Sequence, residues 1–346
     1  MANYFEIFVN GYKNYANYLW QEITQPGWHN YFYWLLGVSA FFWLLEWVRP
    51  WRREQPKFRK DFWLDFFYMF FNFFLFSLII YNAASDVVVN LFNSLLASAG
   101  ITNLVALNVR AMPVWAHLLL GFVVRDFVQW WIHRLLHHSD TLWEFHKVHH
   151  SVQQMGFAAH LRYHWMENVV YRSIEYLPLA MIGIGLNDFF IIHIFTLAVG
   201  HYNHSNITVS GYVTAGVLGV LLGTVVAVGA FDVQLLPLGW GWAPRAAVVL
   251  AAGILISTLL GRYMKYIFNS PEMHIWHHAY EMPATHRYGI NFGLTLALWD
   301  YVFGTAYIPY NGRDIQLGFP GVENFPHTFM SQNLHGLGLP EQQQLP

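Results

Sequence analysis

Apolar runs close to bilayer length are the feature that most restricts this chain. Tyr31–Val48 and the run 62–81 each hold about the 20 residues that an α-helix needs to cross a hydrocarbon core. The run 113–132 repeats the pattern, with Pro113 placed to open a helix. Runs 169–185 and 188–201 form a shorter pair, full spans or half-spans. The expected fold is therefore all-α, a polytopic integral membrane protein. Composition agrees, since 11% of the 346 residues are charged, against roughly 25% in a soluble domain. A formal net charge of −2 argues against a nucleic-acid partner. The absence of cysteine excludes disulfides, thiolate metal sites and cysteine nucleophiles.

Charge sets an expected orientation. The loop after the first run holds Arg49, Arg52, Arg53, Lys57, Arg59 and Lys60, six of the 18 basic residues. The positive-inside rule assigns that loop to the cytoplasm. Residues 82–112 then read as an outside segment with a short interfacial helix, and 113–132 returns inward to deliver His133 to the cytoplasmic face. The first 30 residues lack the pattern of a cleaved signal peptide. A bacterial inner membrane, with the histidine-rich site facing the cytoplasm, is the expected location.

Histidine is unusually frequent, at 19 residues. His133 and His137 stand at i and i+4. His146, His149 and His150 stand at i, i+3 and i+4, and His274, His277 and His278 repeat that spacing. Positions three and four apart share a helix face, so each cluster presents a nitrogen-rich patch. A lone histidine is usually an ordinary core or surface residue, and His29, His117, His193, His286, His327 and His335 read that way. His138 points away from His137 on a helix and is left out of the ligand set. Eight imidazoles exceed what one metal takes and suit two metals with open positions. Imidazole serves iron, zinc, copper and nickel alike. An all-imidazole set is neutral, which favours a centre that also binds ligands derived from water or O2. His160 with His164, and His201 with His204, are further pairs that could add a ligand or a hydrogen-bond partner. Asp126 lies two turns before His133 on the same face, where it could orient a histidine or simply bond another helix.

At these residues the chain resembles a known family. His133-Arg-Leu-Leu-His137, followed by Leu-Trp-Glu-Phe-His146-Lys-Val-His149-His150-Ser, is similar to the first two histidine boxes of the fatty acid hydroxylase / sterol desaturase superfamily. Leu-Arg-Tyr-His164 and His204-Ser-Asn resemble two further segments. Asn-Ser-Pro-Glu-Met-His274-Ile-Trp-His277-His278 matches the third box, and Asn291-Phe-Gly and Leu-Trp-Asp300 match the family's tail after that box. The resemblance implies a membrane non-haem di-iron oxygenase: two iron ions (replaceable by zinc in purified protein), O2 as co-substrate, a lipid substrate, and electrons from a separate ferredoxin- or cytochrome-type protein. It implies that the eight box histidines are ligands, with His164 and His204 as additions; Asp126, Asn291, His160 and His201 are the residues expected to support them. Hydroxylation is the expected outcome, with desaturation or ether cleavage as alternatives within the family. A metal transporter is the alternative of another class.

One break departs from the family pattern. Between His204 and His274 lie 69 residues, and 209–260 is rich in Ala, Val, Leu and Gly. Two helices near 211–230 and 244–261 are expected, because an even number of crossings keeps the third box on the same face as the others. Residues 1–310 then form one transmembrane hydroxylase domain, and 311–346 a C-terminal tail with a disordered end at 339–346.

Overall fold

The computed structural model describes residues 3–101, 105–232 and 242–338. Among these residues the fold is all-α, with only two isolated β-bridges, Phe268 to Leu296 and Ala279 to Leu317. Helix α1 (Tyr4–Thr24) precedes α2 (Tyr31–Val48), the first expected run. Helix α3 (Phe62–Phe70) continues through two π-helical stretches, Phe71–Leu75 and Ser77–Tyr81, directly into α4 (Asn82–Ser98). No glycine or proline stands between Phe62 and Ser98, so nothing in the local chemistry breaks the helix. The separate short helix expected within 82–112 is thus an extension of the second run. Helix α1, which sequence reasoning did not single out, packs on α4 through Gly11, where an added Cβ would lie 2.5 Å from Asp86 Oδ2.

Helix α5 (Val114–His138) begins after Pro113 and runs beyond the apolar stretch, carrying His133 and His137 on its last turns. Ser139 caps α6 (Asp140–His150) through its Oγ. Helices α7 (Trp165–Met181) and α8 (Leu186–His204) come next. The expected insertion is a helix pair, α9 (Gly211–Asp232) and α10 (Trp242–Leu260), whose connection lies outside the described residues. The two helices approach closely: a Cβ on Gly219 would meet Ala252 O at 2.5 Å. Among the described residues four short α-helices follow: α11 (Met264–Ile267), α12 (Pro271–His277), α13 (Leu298–Phe303) and α14 (Phe329–Leu334).

Three stretches are long and apolar enough to cross a membrane, Tyr31–Val48, Phe62–Ile79 and Ala246–Ile267, and Gly211–Thr224 is a shorter apolar helix. Helices α5, α7 and α8 fall outside that set. Helices α7 and α8 both pack on α5 around buried polar groups: Arg125 pairs with Glu175 and bonds Thr196 and His193. A separate core joins Phe319, Val322 and Phe325 to Tyr68 and Val148. The segment after residue 310 therefore packs into the same body as the histidine boxes. The end expected to be disordered, 339–346, lies outside the described residues.

Candidate metal centre

The helix ends bring nine histidines together in two groups. His133, His137, His146, His150 and His277 form one; His149, His204, His274 and His278 form the other, and within each group the candidate ligand nitrogens lie within 4.8 Å of one another. All nine are buried. The groups share a wall, where the rings of His150 and His278 stack with centroids 4.4 Å apart. Helices α6 and α12 each contribute to both groups, because spacing of three and four residues turns one imidazole slightly away from the next. Ser270 caps α12 and Pro271 opens it, fixing the third box at the start of a short, well-anchored helix.

Burial controls protonation. Loss of solvation lowers His133 to about 4 and His149 to about 3, and holds His137, His146, His150, His204, His274, His277 and His278 well below the usual imidazole value. At neutral pH the rings are uncharged, each with a free lone pair.

Hydrogen bonds choose which nitrogen carries that lone pair. Nδ1–H of His133 donates to Phe292 O and Nδ1–H of His277 to Ile290 O, both at 2.7 Å. His149 donates to Arg162 O at 3.0 Å, His204 to Gly200 O at 2.8 Å, and His146 to Glu167 Oε2 at 2.8 Å. In each case Nε2 is left bare. The Nε2 atoms of His149 and His204 then face each other at 3.2 Å, and those of His204 and His274 at 2.9 Å. Among the described residues, the Nε2 atoms of His137, His146 and His277, and both ring nitrogens of His150, have no hydrogen-bond partner. Facing lone pairs and orphaned buried nitrogens are costly; a cation between them removes the cost. The donor set therefore fits two nitrogen-loving metal ions.

The accepting carbonyls are themselves held. Asp300 accepts from the backbone N–H of Phe292 and of Gly293, each at 2.8 Å, and from Trp130 Nε1. Asn291, in the left-handed region at φ 54°, donates to Met273 O and Tyr307 O. It fixes the turn between the carbonyls of Ile290 and Phe292. Arg162 is clamped by Asp61 and Asp65, and Asn72, on the π-helical stretch, donates to Leu161 O and Tyr163 O on either side.

The other expected site residues divide. His204 joins the second group. His164 joins neither: it caps α7, with Nδ1 accepting from Met166 N at 3.1 Å and Nε2 donating to Asn333 O at 2.8 Å. Both its nitrogens are used by backbone groups, so it has no lone pair to offer a metal. Asp126 orients no histidine. It accepts from Thr295 N and Trp299 Nε1 and so anchors the loop after the third box; a backbone carbonyl takes the place expected for it beside His133. His160 and His201 meet through their Nδ1 atoms at 3.0 Å, His201 also contacts Ser39 Oγ, and the His160 ring lies 5.2 Å from that of His204. Sequence reasoning missed Glu167. Its signal was the three-residue spacing from His164, the spacing of a capping box.

Fold and site together define an all-helical protein with apolar spans and a buried double histidine centre. Residues 118–222 match the sequence model of the fatty acid hydroxylase family, and the resemblance to the fatty acid hydroxylase / sterol desaturase superfamily is borne out. Ornithine lipid hydroxylase OlsE of Rhizobium tropici is 23% identical over 209 residues, covering 60% of this chain and 47% of that protein. Very-long-chain aldehyde decarbonylase GL1-10 of Oryza sativa subsp. japonica is 43% identical over 56 residues, 16% of this chain and 18% of that one. The chain thus spans about half the length of the bacterial relative. No solved structure matches.

Proposed function

We propose that this chain is a membrane-bound lipid hydroxylase that holds two iron ions, one in each histidine group. The observation that carries the reading is the pair of bare Nε2 atoms of His149 and His204, facing at 3.2 Å with both Nδ1 protons committed elsewhere. The ligands on this reading are the eight box histidines and His204. Iron so held supplies O2 activation and oxidation of an aliphatic C–H bond, with electrons from a separate ferredoxin- or cytochrome-type protein.

The chain's own residues do the rest. Held carbonyls and Glu167 fix each imidazole with its lone pair inward. Trp143, with ring centroids 4.9 Å from His137 and 5.1 Å from His150, and Phe292 beside His133 and His137 wall the centre with apolar surface. That wall excludes water and suits a hydrocarbon chain. Nine neutral donors would leave the charge of two bound cations largely uncompensated by the histidines themselves. A polar membrane lipid is the substrate class that the similarity to an ornithine lipid hydroxylase favours. A transporter would set its ligands at mid-span between broken helices, whereas these lie on the ends of α5 and α8 and on the short α6 and α12. The basic loop after α2 favours a cytoplasmic face for the centre, and the bacterial relative favours an inner membrane. Residues 1–310 are read as the hydroxylase domain, with 311–338 packed back on it.

Metal content per chain tests the reading, on protein made with excess iron and purified without oxygen. About two irons, lost in a His149→Ala/His277→Ala variant, are expected, together with an added oxygen in a membrane lipid of expressing cells. Less than one metal, unchanged in that variant, overturns it.

A further inference from the structure

The short helix α13 has two sides with different tasks. Its inner side carries Asp300, fully buried, which holds the backbone of Phe292 and Gly293 and so the carbonyl that orients His133. Its outer side exposes Leu298, Tyr301, Val302 and Phe303, with Val302 62% exposed. This surface continues onto two neighbours. Tyr301 meets Tyr266 with ring centroids 5.0 Å apart, and Phe303 meets Trp131 at 5.8 Å. Tyr266 stands at the end of the apolar stretch Ala246–Ile267. Trp131 stands at the end of the apolar part of α5. The patch is therefore bracketed by two helices at the level where their apolar runs stop.

Its charge is of one sign. Lys265 Nζ sits 5.0 Å from the Tyr266 ring centroid, and the Arg134 guanidinium 5.3 and 5.4 Å from the rings of Trp130 and Trp131. Among the described residues neither cation forms an ion pair, and Asp300, the one carboxylate of α13, faces inward. Aromatic rings with cations at the end of apolar helices suit the headgroup level of a bilayer, and unpaired cations suit anionic lipids.

We propose that the outer face of α13, with Tyr266 and Trp131, lies in the bilayer surface and binds anionic lipid headgroups through Lys265 and Arg134. The same six-residue helix then ties the histidine centre to the membrane surface: Asp300 grips the centre while Val302 is seated in lipid. The proposal rests on the membrane reading of the long apolar helices, not on the identity of the metal.

Single nitroxide labels test it, because the chain contains no cysteine of its own. Val302→Cys, Leu255→Cys and Asp314→Cys variants are reconstituted in phosphatidylcholine–phosphatidylglycerol vesicles. Collision with oxygen is compared with collision with a water-soluble nickel complex. The Val302 label is expected to favour oxygen, between the Leu255 label in hydrocarbon and the Asp314 label in water. Adding Arg134→Gln and Lys265→Gln is expected to shift the Val302 label toward the nickel complex. A Val302 label as nickel-accessible as that on Asp314 overturns the proposal, as does spin–spin broadening at Val302 alone, which would place a second copy there. An unchanged Val302 label in the double charge variant overturns the headgroup contact. If Leu255 is also in water, the membrane reading falls with it; if Leu255 is in hydrocarbon, only this proposal falls.

Discussion

Glu167 Oε2 accepts the Nδ1–H of His146 at 2.8 Å, while its other oxygen accepts the backbone N–H of His164 at 3.3 Å. One buried carboxylate thus closes the cap of α7 and turns the lone pair of His146 into the five-histidine group. Burial pushes the Glu167 pKa well up, so its charged form depends on what it faces; two metal cations behind His146 would favour it.

Glu167→Gln keeps the shape but has one acceptor oxygen where the carboxylate uses two; with that oxygen closing the cap, its NH2 group faces His146 Nδ1, which then loses its acceptor. Metal affinity of the five-histidine group is expected to fall roughly 10–100-fold, with the four-histidine group unaffected. Metal content after graded chelation checks this: one of about two metals should leave first.

Gly289 adopts φ +112°, and a Cβ there would lie 3.0 Å from His137 Nδ1. Gly289→Ala therefore strains the backbone by on the order of 1 kcal/mol and presses on a proposed ligand. The expected result is weaker binding at the five-histidine group and a lowered melting temperature, both read on the same preparation.

The metal-free protein should lose stability as pH falls. His133 and His149 have folded values of about 4 and about 3, below the unfolded value near 6.5. Between these limits the unfolded chain binds more protons than the folded one, so stability falls from about pH 6.5 downward and levels off below the folded values. Thermal melts between neutral and acid pH should show this slope without metal. With metal bound the midpoint should hold until the ions are displaced.

Gly219→Leu should separate the insertion from the centre. The new side chain would collide with Ala252 O and Gly253 Cα, splaying α9 from α10 and costing about 1–3 kcal/mol. Metal content should stay near that of the parent protein. Loss of metal in this variant would mean that the hairpin supports the histidine groups directly.

Much of the site was legible because ligand spacing is local. The i, i+3 and i+4 pattern in two clusters already places imidazoles on common helix faces, and the nine grouped histidines are the eight of the boxes plus His204. His164 and Asp126 show where local reasoning stops. His164 looks like a ligand in the chain, but the carbonyl that claims its Nε2 belongs to Asn333, 169 residues away. Asp126 shares a face with His133, yet the loop that claims it also lies about 170 residues on. The continuous helix from Phe62 to Ser98 was obscured for a different reason: the apolar run ends at Tyr81, but the helical backbone needs only the absence of a breaker.

By itself the sequence determined the helical class, the first two apolar runs, the paired helices of the insertion and the number of imidazoles available, because helix formation, burial and ligand spacing act over a few residues. Only the tertiary structure decided how nine rings divide into five and four, which carbonyl holds which Nδ1, and that Glu167 rather than Asp126 is the carboxylate beside a grouped histidine. Those outcomes depend on which residues, distant along the chain, meet across α5, α6, α8 and α12. A lone pair is directed by the partner of the opposite nitrogen, and that partner is supplied by packing.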